Sequence, residues 1–212
     1  MGSDLTIEQD SLILGTLLGD GSIEKRWKNP RLRIDHSFSQ KEYVFWKCNI
    51  LRTIATREPH ILYEKDKRSG KTFPRWYFGT KAIPDLEFYY RLFYKGKRKA
   101  ISARLIHYLN HPLSLAVWLM DDGYKRNDCD ALRLSTDCFS LEEQKTLQEC
   151  LVKNFDICSK LHKKGRVWNI YIASSEMKKV RNILQEHIIP AMKYKLSPRN
   201  DFSDSGRRDS IF

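Results

Sequence analysis

The sequence predicts an α+β fold in which one unit, ordered αββαββα, occurs twice, with antiparallel strands on one side and helices on the other. The first observation is an apolar stretch, residues 13–18, that ends in Gly19-Asp20-Gly21. A second apolar stretch, residues 115–120, ends in Asp121-Asp122-Gly123, about half of the 212-residue chain later. The second observation is that similar short strands and capped helices follow each stretch. An internal duplication explains both.

Each apolar stretch is expected to be a buried helix, because it is too short to span a bilayer and too apolar for a surface helix. Gly21 is the residue type favoured just past a helix end, so Asp20 is expected in the last turn. Gly15 and Gly19 share one helical face and would let a second helix approach closely. We therefore expect the two apolar helices to pack together, with Gly19→Leu disrupting the contact and Gly19→Ala or Gly19→Ser being milder.

The other elements follow in the same order in both halves. In the first half we predict strands at 22–27 and 31–38, a helix at 40–55, a hairpin of 61–66 and 73–79 turning at Ser69-Gly70, and a helix at 85–94. A charged connection at 94–99 and a helix at 102–109 lead to Pro112. The second half repeats with strands at 124–127 and 131–137, a helix at 141–155, a hairpin of 157–163 and 167–173, and a helix ending at Pro190. The units cover residues 5–98 and 99–198, and residues 199–212 form a polar tail.

Composition indicates the class of partner. A net charge of +12, a pI near 9.5 and 12% aromatic residues favour a folded protein that binds a polyanion, with nucleic acid as the leading candidate. No stretch approaches the roughly 18 apolar residues of a membrane span. The five cysteines are odd in number and lack CxxC spacing, which indicates neither a disulfide framework nor a zinc site. A reducing intracellular compartment is expected, which includes organelles such as a mitochondrion or chloroplast.

Asp20 and Asp122 are the candidate metal ligands. Two carboxylates at the C-terminal ends of adjacent helices face negative helix dipoles and each other's charge, and a divalent cation would relieve both. Oxygen ligands without His or Cys suit Mg²⁺ better than Zn²⁺. The predicted metal site also includes the adjoining Gly19 and Asp121, although Asp121 points elsewhere on its helix and suits a cap or an outer contact. The alternative, that each aspartate only caps a turn before glycine, is weakened by the duplication.

The two stretches resemble the motifs of LAGLIDADG homing endonucleases of the single-chain, two-motif type. Gly15, Asp20 and Gly21 occupy the third, eighth and ninth places of the first motif, and Asp122 and Gly123 the eighth and ninth of the second. The second motif departs at Val117, in the third place, and at Asp121, in the seventh. The resemblance implies a monomer with a pseudo-twofold axis between the motif helices. Each half would lay a curved saddle sheet into the major groove of double-stranded DNA.

The resemblance also implies an activity. It is the hydrolysis of both DNA strands at a long pseudo-palindromic or asymmetric site, with Mg²⁺ (or Mn²⁺) held by Asp20 and Asp122, in the mobility of an intron. Lys99 and Lys195 lie where the family keeps a basic residue near the attacking water, with Lys97 and Lys193 as rivals. A chain with 38 Lys and Arg could place a lysine there by chance. The alternatives are an RNA-splicing maturase and a DNA-binding regulator without catalysis; retention of both aspartates favours cleavage.

Residues with outward parity on the predicted strands are the candidate DNA contacts. Their cations, amides and hydroxyls match the groups needed at base edges, although a charged outward face can also be merely solvated. Asp35 and Asp137 end matching strands and are expected near the central base pairs, where they could order water. The full set is Arg31, Arg33, Asp35, Arg75, Tyr77, Arg133, Ser135, Asp137, Lys160, His162, Asn169 and Tyr171.

Overall fold

The computed structural model describes residues 5–25, 28–66 and 70–198. Three predicted features lie wholly or partly outside these ranges: the polar tail at 199–212, the last two residues of the first strand, and Ser69 of the first hairpin turn. Within the described ranges no helix is long and apolar enough to cross a membrane. All five cysteines are described, and each is a free thiol.

In the described part of the first half there are three α-helices and a sheet of four strands. The helices are α1 (Ile7–Leu18), α2 (Lys41–Ile50) and α3 (Leu86–Phe93), and the strands are β1 (Ser22–Glu24), β2 (Arg31–Ser37), β3 (His60–Lys65) and β4 (Thr72–Gly79). A hairpin of β5 (Tyr94–Lys95) and β6 (Arg98–Lys99) follows. The second half contains α4 (Pro112–Asp122), α5 (Leu141–Phe155) and α6 (Ser174–Leu184), with β7 (Gly123–Lys125), β8 (Leu132–Leu134), β9 (Lys160–Lys164) and β10 (Val167–Ile172). Short 3-10 helices occur at Phe38–Gln40, Ala103–His107 and Pro190–Lys195.

The two halves have the same sheet topology. The first sheet has the strand order β1-β2-β4-β3 and the second the order β7-β8-β10-β9, and all pairings in them are antiparallel. Inner positions of matching strands are buried, such as Ile34 and Phe78 in the first sheet and Leu134 and Ile170 in the second. One hydrophobic core includes these residues and the motif helices. The predicted α+β duplication is confirmed.

The motif helices α1 and α4 pack directly against each other. A Cβ atom at Gly15 would lie 2.4 Å from the Ser114 carbonyl oxygen, and one at Gly19 would lie 2.3 Å from the Asp121 Cβ. The predicted contact through both glycines is confirmed. Even a methyl group at Gly19 would overlap the neighbouring helix, so Gly19→Ala is expected to cost stability as well, although less than Gly19→Leu.

Several element boundaries differ from the prediction. The charged connection forms the hairpin β5–β6, and Gly96, with φ of +63°, provides its tight turn. The predicted division between residues 98 and 99 falls inside β6. Helix α6 ends at Leu184, and a separate 3-10 helix begins at Pro190; Ile189 before it is extended, as expected of a residue that precedes proline.

Candidate metal centre and nucleic-acid interface

Asp20 and Asp122 lie at the adjoining C-terminal ends of the motif helices. Asp122 is the last residue of α4, whereas α1 ends at Leu18, so Asp20 lies beyond the helix rather than in its last turn as predicted. Gly19 caps α1 through its N–H, which donates to the Gly15 carbonyl. Gly21 is needed for a close approach, since its N–H donates to the Thr16 carbonyl at 2.9 Å and a Cβ would overlap the Thr16 side chain.

A lysine is bound to the end of each motif helix; Lys99 is half-buried and Lys195 is buried. Lys99 Nζ donates to the carbonyl oxygens of Gly19 (2.6 Å) and Gly21 (3.0 Å). Lys195 Nζ donates to the carbonyls of Leu119, Met120 and Asp121 at the end of α4. Burial lowers the pKa of both lysines, although the nearby aspartates oppose it. Both ammonium groups therefore offset the negative end of a helix dipole; their rivals Lys97 and Lys193 are exposed.

The side chain of Asp121 is fully buried and reaches from the second half into the first. Its Oδ1 accepts hydrogen bonds from Tyr43 Oη (2.6 Å) and Lys47 Nζ (2.7 Å), both on α2. Its Oδ2 accepts from Lys47 Nζ (3.0 Å) and from the backbone N–H of Asp20 (3.2 Å). Lys47 is also fully buried and approaches His36 Nε2 at 3.1 Å.

The two motif aspartates have different electrostatic environments. Burial, together with the charges of Asp20 and Asp121, raises the pKa of Asp122 to about 7 against the opposing effect of Lys99 and Lys195. Burial also raises the pKa of Asp20, but the neighbouring His36, Lys47 and Lys195 outweigh it, so that this pKa is lowered. The same motif position therefore holds a stabilised carboxylate in one half and a destabilised one in the other.

The residues at the helix ends fit a hard divalent cation. Asp20 keeps 46% of its side chain exposed, and a cation would offset the burial and the charges of Asp20 and Asp121 that raise the pKa of Asp122. Carboxylate oxygens are the ligands that Mg²⁺ prefers. Ligand atoms of Asp20, His36 and Asp121 also lie within 4.8 Å of one another. Asp121 is nevertheless a poor ligand, because its oxygens already accept from an ammonium group, and Gly19 serves the helix contact and the Lys99 hydrogen bond.

The outer face of the first sheet carries paired charges. Arg31 and Arg33 both form ion pairs with Glu24, at 2.7 and 2.5 Å. Arg75 Nε donates to Asp35 Oδ2 at 2.6 Å, and Tyr77 lies under the Arg33 guanidinium. All five predicted contacts in this half are thus partly exposed on the expected face, in a network that contains acids as well as cations.

The outer face of the second sheet carries fewer acidic partners. The rings of His162 and Tyr171 stack with centroids 4.1 Å apart, and Lys160 is exposed beside them. Arg133 pairs with Tyr171 in the strand register, and its Nε is buried without a hydrogen bond. Ser135 is partly exposed and Asp137 is exposed, but both lie beyond β8, which ends at Leu134.

Asn169 was predicted to be an exposed DNA contact, and this prediction is wrong because the residue is buried. It has the expected register opposite His162, but it is only 7% exposed. Its Oδ1 accepts the backbone N–H of Thr136 at 3.2 Å. Because β8 ends before Thr136, that N–H has no ladder partner and the asparagine side chain satisfies it.

The comparisons with known proteins agree with this architecture. The sequence matches the model of the LAGLIDADG DNA endonuclease family over residues 10–180. The chain belongs to this family. It is 30% identical to the cytochrome b mRNA maturase bI2 of Debaryomyces hansenii, over 89% of this chain and 73% of the relative. It is 29% identical to the DNA endonuclease I-ChuI of Chlamydomonas applanata, over 92% of this chain and 97% of the relative.

A solved structure extends the similarity to the whole two-motif arrangement. The homing endonuclease I-WcaI, bound to its DNA recognition sequence, superposes with a TM-score of 0.85 at 25% identity, covering 93% of this chain and 89% of that chain. The predicted resemblance to the single-chain LAGLIDADG type is confirmed.

Sequence reasoning missed two buried residues of this LAGLIDADG chain that lie beside Asp20 and Asp121, His36 and Lys47. The signal for Lys47 was available, since it lies four residues after Tyr43 on the inner face of α2, where a lysine without a partner would be costly. His36 has inward parity on β2 and could have been found as a polar residue among core positions.

Proposed function

We propose that this chain is a metal-dependent homing endonuclease that cleaves both strands of DNA at a long, specific site and acts as a monomer in the mobility of an intron. The observation that carries the proposal is the pair Asp20 and Asp122, at the joined ends of two packed motif helices. One protein chain thus provides one carboxylate for the cleavage of each DNA strand. The DNA endonuclease I-ChuI and the DNA-bound homing endonuclease I-WcaI, as relatives, support the same activity.

The divalent ion is proposed to be Mg²⁺ or Mn²⁺, held by Asp20 and Asp122. When bound, it would activate water and stabilise the leaving oxygen of the phosphodiester. Lys99 and Lys195 keep the ends of the motif helices in place through carbonyl contacts, and their charges offset that of the phosphates. Asp121 holds the backbone N–H of Asp20 and thereby connects the two motifs.

Double-stranded DNA is proposed to lie along the outer faces of both sheets. Cationic and aromatic side chains occur on each face, including Arg33 and Tyr77 in the first sheet and Arg133, Lys160 and Tyr171 in the second. The net charge of +12 favours association with a polyanion. The two faces differ in sequence, so an asymmetric site fits them better than a perfect palindrome.

RNA splicing is a second candidate function. The relative from Debaryomyces hansenii is a cytochrome b mRNA maturase, and it is as similar in sequence as the endonuclease from Chlamydomonas applanata. A maturase would bind intron RNA without needing Asp20 and Asp122. A DNA-binding regulator without catalysis, the third alternative, would not need Asp20 and Asp122.

The test is cleavage selection from a randomised DNA library with and without Mg²⁺. We expect a single long site to be recovered only with the metal. On that site, the double variant Asp20→Asn, Asp122→Asn should bind like the parent but cut neither strand, because each change removes a ligand charge and little shape. Asp156→Asn, at an exposed carboxylate in the left-handed C-cap of α5, is the matched control. A double variant that still cuts both strands would contradict the assignment; RNA binding without any DNA cleavage by the parent would favour the maturase.

A further inference from the structure

A chain of polar contacts runs from Asp121 to the carboxylate of Asp20. Asp121 accepts two hydrogen bonds from Lys47 Nζ, and Lys47 Nζ lies 3.1 Å from His36 Nε2. On the other side of the ring, His36 Nδ1 lies 3.3 Å from Asp20 Oδ2. His36 is 1% exposed, and its Nδ1 has no aligned hydrogen-bond partner in the described part of the chain. A small rotation of the exposed Asp20 carboxylate would provide one.

The donors in this chain decide which nitrogen of His36 carries the proton. Asp121 accepts from Tyr43, Lys47 and the Asp20 backbone, as expected of a carboxylate with a charged lysine beside it. An ammonium group has only donors, so His36 Nε2 must accept from it. A neutral imidazole that accepts at Nε2 carries its hydrogen on Nδ1. Nδ1 therefore has no lone pair for a metal and can only donate, and the group within its reach is Asp20.

No such contact to Asp122 is recorded among the described residues of the second half. Thr136 is the counterpart of His36. His36 lies two residues after Ile34, which pairs with β4, and Thr136 lies two residues after Leu134, which pairs with β10. The Thr136 hydroxyl contacts Gln144 Oε1 at 2.9 Å and the Ile170 N–H at 3.2 Å instead. Among the described residues, the structure records no side-chain hydrogen bond to the Asp122 carboxylate.

We propose that His36 is a positioning residue that donates from Nδ1 to Asp20, and that Lys47 and Asp121 hold it in the tautomer that can do so. The proposal rests on the proposed function for its effect on cleavage. In this proposal a histidine orients Asp20 but not Asp122, so the sites that cut the two DNA strands are unequal. Loss of His36 should slow one strand and leave the other nearly unchanged.

The first experiment resolves the two strands. The DNA target is labelled on each strand, cleavage is followed in single turnover with Mg²⁺, and the strand assigned to Asp20 is identified as the one that Asp20→Asn fails to cut. His36→Thr, which copies the second half, should slow that strand by about 10- to 100-fold, the usual effect of removing a residue that orients a ligand. Thr136→Val is the matched control and should not slow the Asp20 strand selectively.

A merely structural role would give a different result. His36→Asn keeps a donor near the position of Nδ1 and should restore much of the selective loss, with melting temperatures recorded for all variants. Equal slowing of both strands, or no recovery with asparagine at a matched melting temperature, would overturn the proposal. If the parent cuts neither strand, the proposed function fails, and the second experiment decides the inference by itself.

The second experiment does not depend on cleavage. In metal-free protein, ¹⁵N-labelled histidine rings report the tautomer directly, and the signal of His36 is assigned by its loss in His36→Asn. We expect a neutral ring protonated on Nδ1 in the parent and a changed tautomer population in Lys47→Met. A ring protonated on Nε2 in the parent would overturn the inference, whatever the enzyme does with DNA.

Discussion

The two halves of the molecule share their backbone but differ in the polar groups beside the motif aspartates. Each half has the same strand order, an apolar motif helix and a lysine bound to that helix end. In the first half the buried group beside the aspartate is ionic, consisting of His36, Lys47 and the intruding Asp121. At the matching strand position of the second half the buried polar group is neutral, consisting of Thr136, Gln144 and Asn169.

The difference shows how a duplicated fold can hold two unequal sites. Main-chain pairing and apolar packing require only similar patterns of residues, so they tolerate divergence of individual polar groups. A single residue, Asp121 in the seventh place of the second motif, brings a carboxylate from the second half into the first. Gly19 leaves room for its side chain. His36 and Lys47 then stabilise the Asp20 carboxylate, whereas Asp122 remains beside two other carboxylates.

The largest expected effect comes from breaking the ionic network. Lys47→Met should lower the free energy of unfolding by about 3 to 5 kcal/mol, because it leaves Asp121 buried without a counter-charge. Gln144→Leu, in the neutral network, should cost about 1 to 3 kcal/mol through unsatisfied hydrogen bonds. Urea denaturation measures both. The double variant Lys47→Met, Asp121→Asn should recover part of the loss; a Lys47→Met variant no less stable than Gln144→Leu would remove the distinction between the networks.

The second effect concerns pH and metal. A pKa of about 7 for Asp122, against an ordinary value of 3.8, means that the folded protein binds this proton more tightly than the unfolded chain. Stability in EDTA should therefore fall as pH rises from about 4 to 7, by up to about 4 kcal/mol. The lowered pKa of Asp20 acts in the opposite sense, since its stabilisation is present above pH 4 and is lost on acidification.

Thermal melts of the parent and Asp122→Asn between pH 4 and 8 test this prediction. The parent should lose stability relative to the variant as pH rises, and Mg²⁺ should raise the melting temperature of the parent more at pH 7.5 than at pH 5. A difference between parent and variant that does not change with pH would show that Asp122 ionises without cost.

A third, smaller effect is expected at the contact between the halves. Gly19→Ala should cost about 1 to 3 kcal/mol, because the added methyl group overlaps the Cβ of Asp121, whose carboxylate is held by Tyr43 and Lys47. Gly19→Leu should cost more and suppress cleavage. Glu8→Ala, on the exposed side of α1, is the control. Melting temperatures and cleavage rates across the series measure the effect, and a fully stable Ala variant would mean that the helices can separate freely there.

The smallest effect distinguishes the two DNA faces. Lys160→Ala, in the second sheet, should weaken DNA binding and reduce the slope of log K against log salt by about 1, because an exposed cation is removed. Arg31→Ala, in the first sheet, should change the slope less, since Arg31 and Arg33 share the single carboxylate of Glu24. Binding titrations between about 50 and 200 mM salt measure both slopes. Equal changes would show that the ion pairs of the first sheet open on DNA binding.

Local patterns in the sequence were sufficient to predict the fold and to place Asp20 and Asp122 at the ends of the motif helices. Alternation on β2 and β8 predicted their faces, and the repeated Asp-Gly after an apolar helix located Asp20 and Asp122. The glycine spacing on α1 predicted the contact between the motif helices, which the structure confirms. These features depend on residues within a few positions of one another, so their periodicity can be recognised along the chain.

Only the tertiary structure decided which polar groups are paired. Asp121 and Lys47 lie far apart in sequence, and no periodicity relates a motif residue to a lysine on another helix. The same holds for Asn169, whose outward register was correct but whose side chain satisfies the N–H of Thr136 because β8 ends early. The unequal acidity of Asp20 and Asp122 also arises there, because a pKa depends on burial and on charges gathered from several elements, none of which is a local property of the sequence.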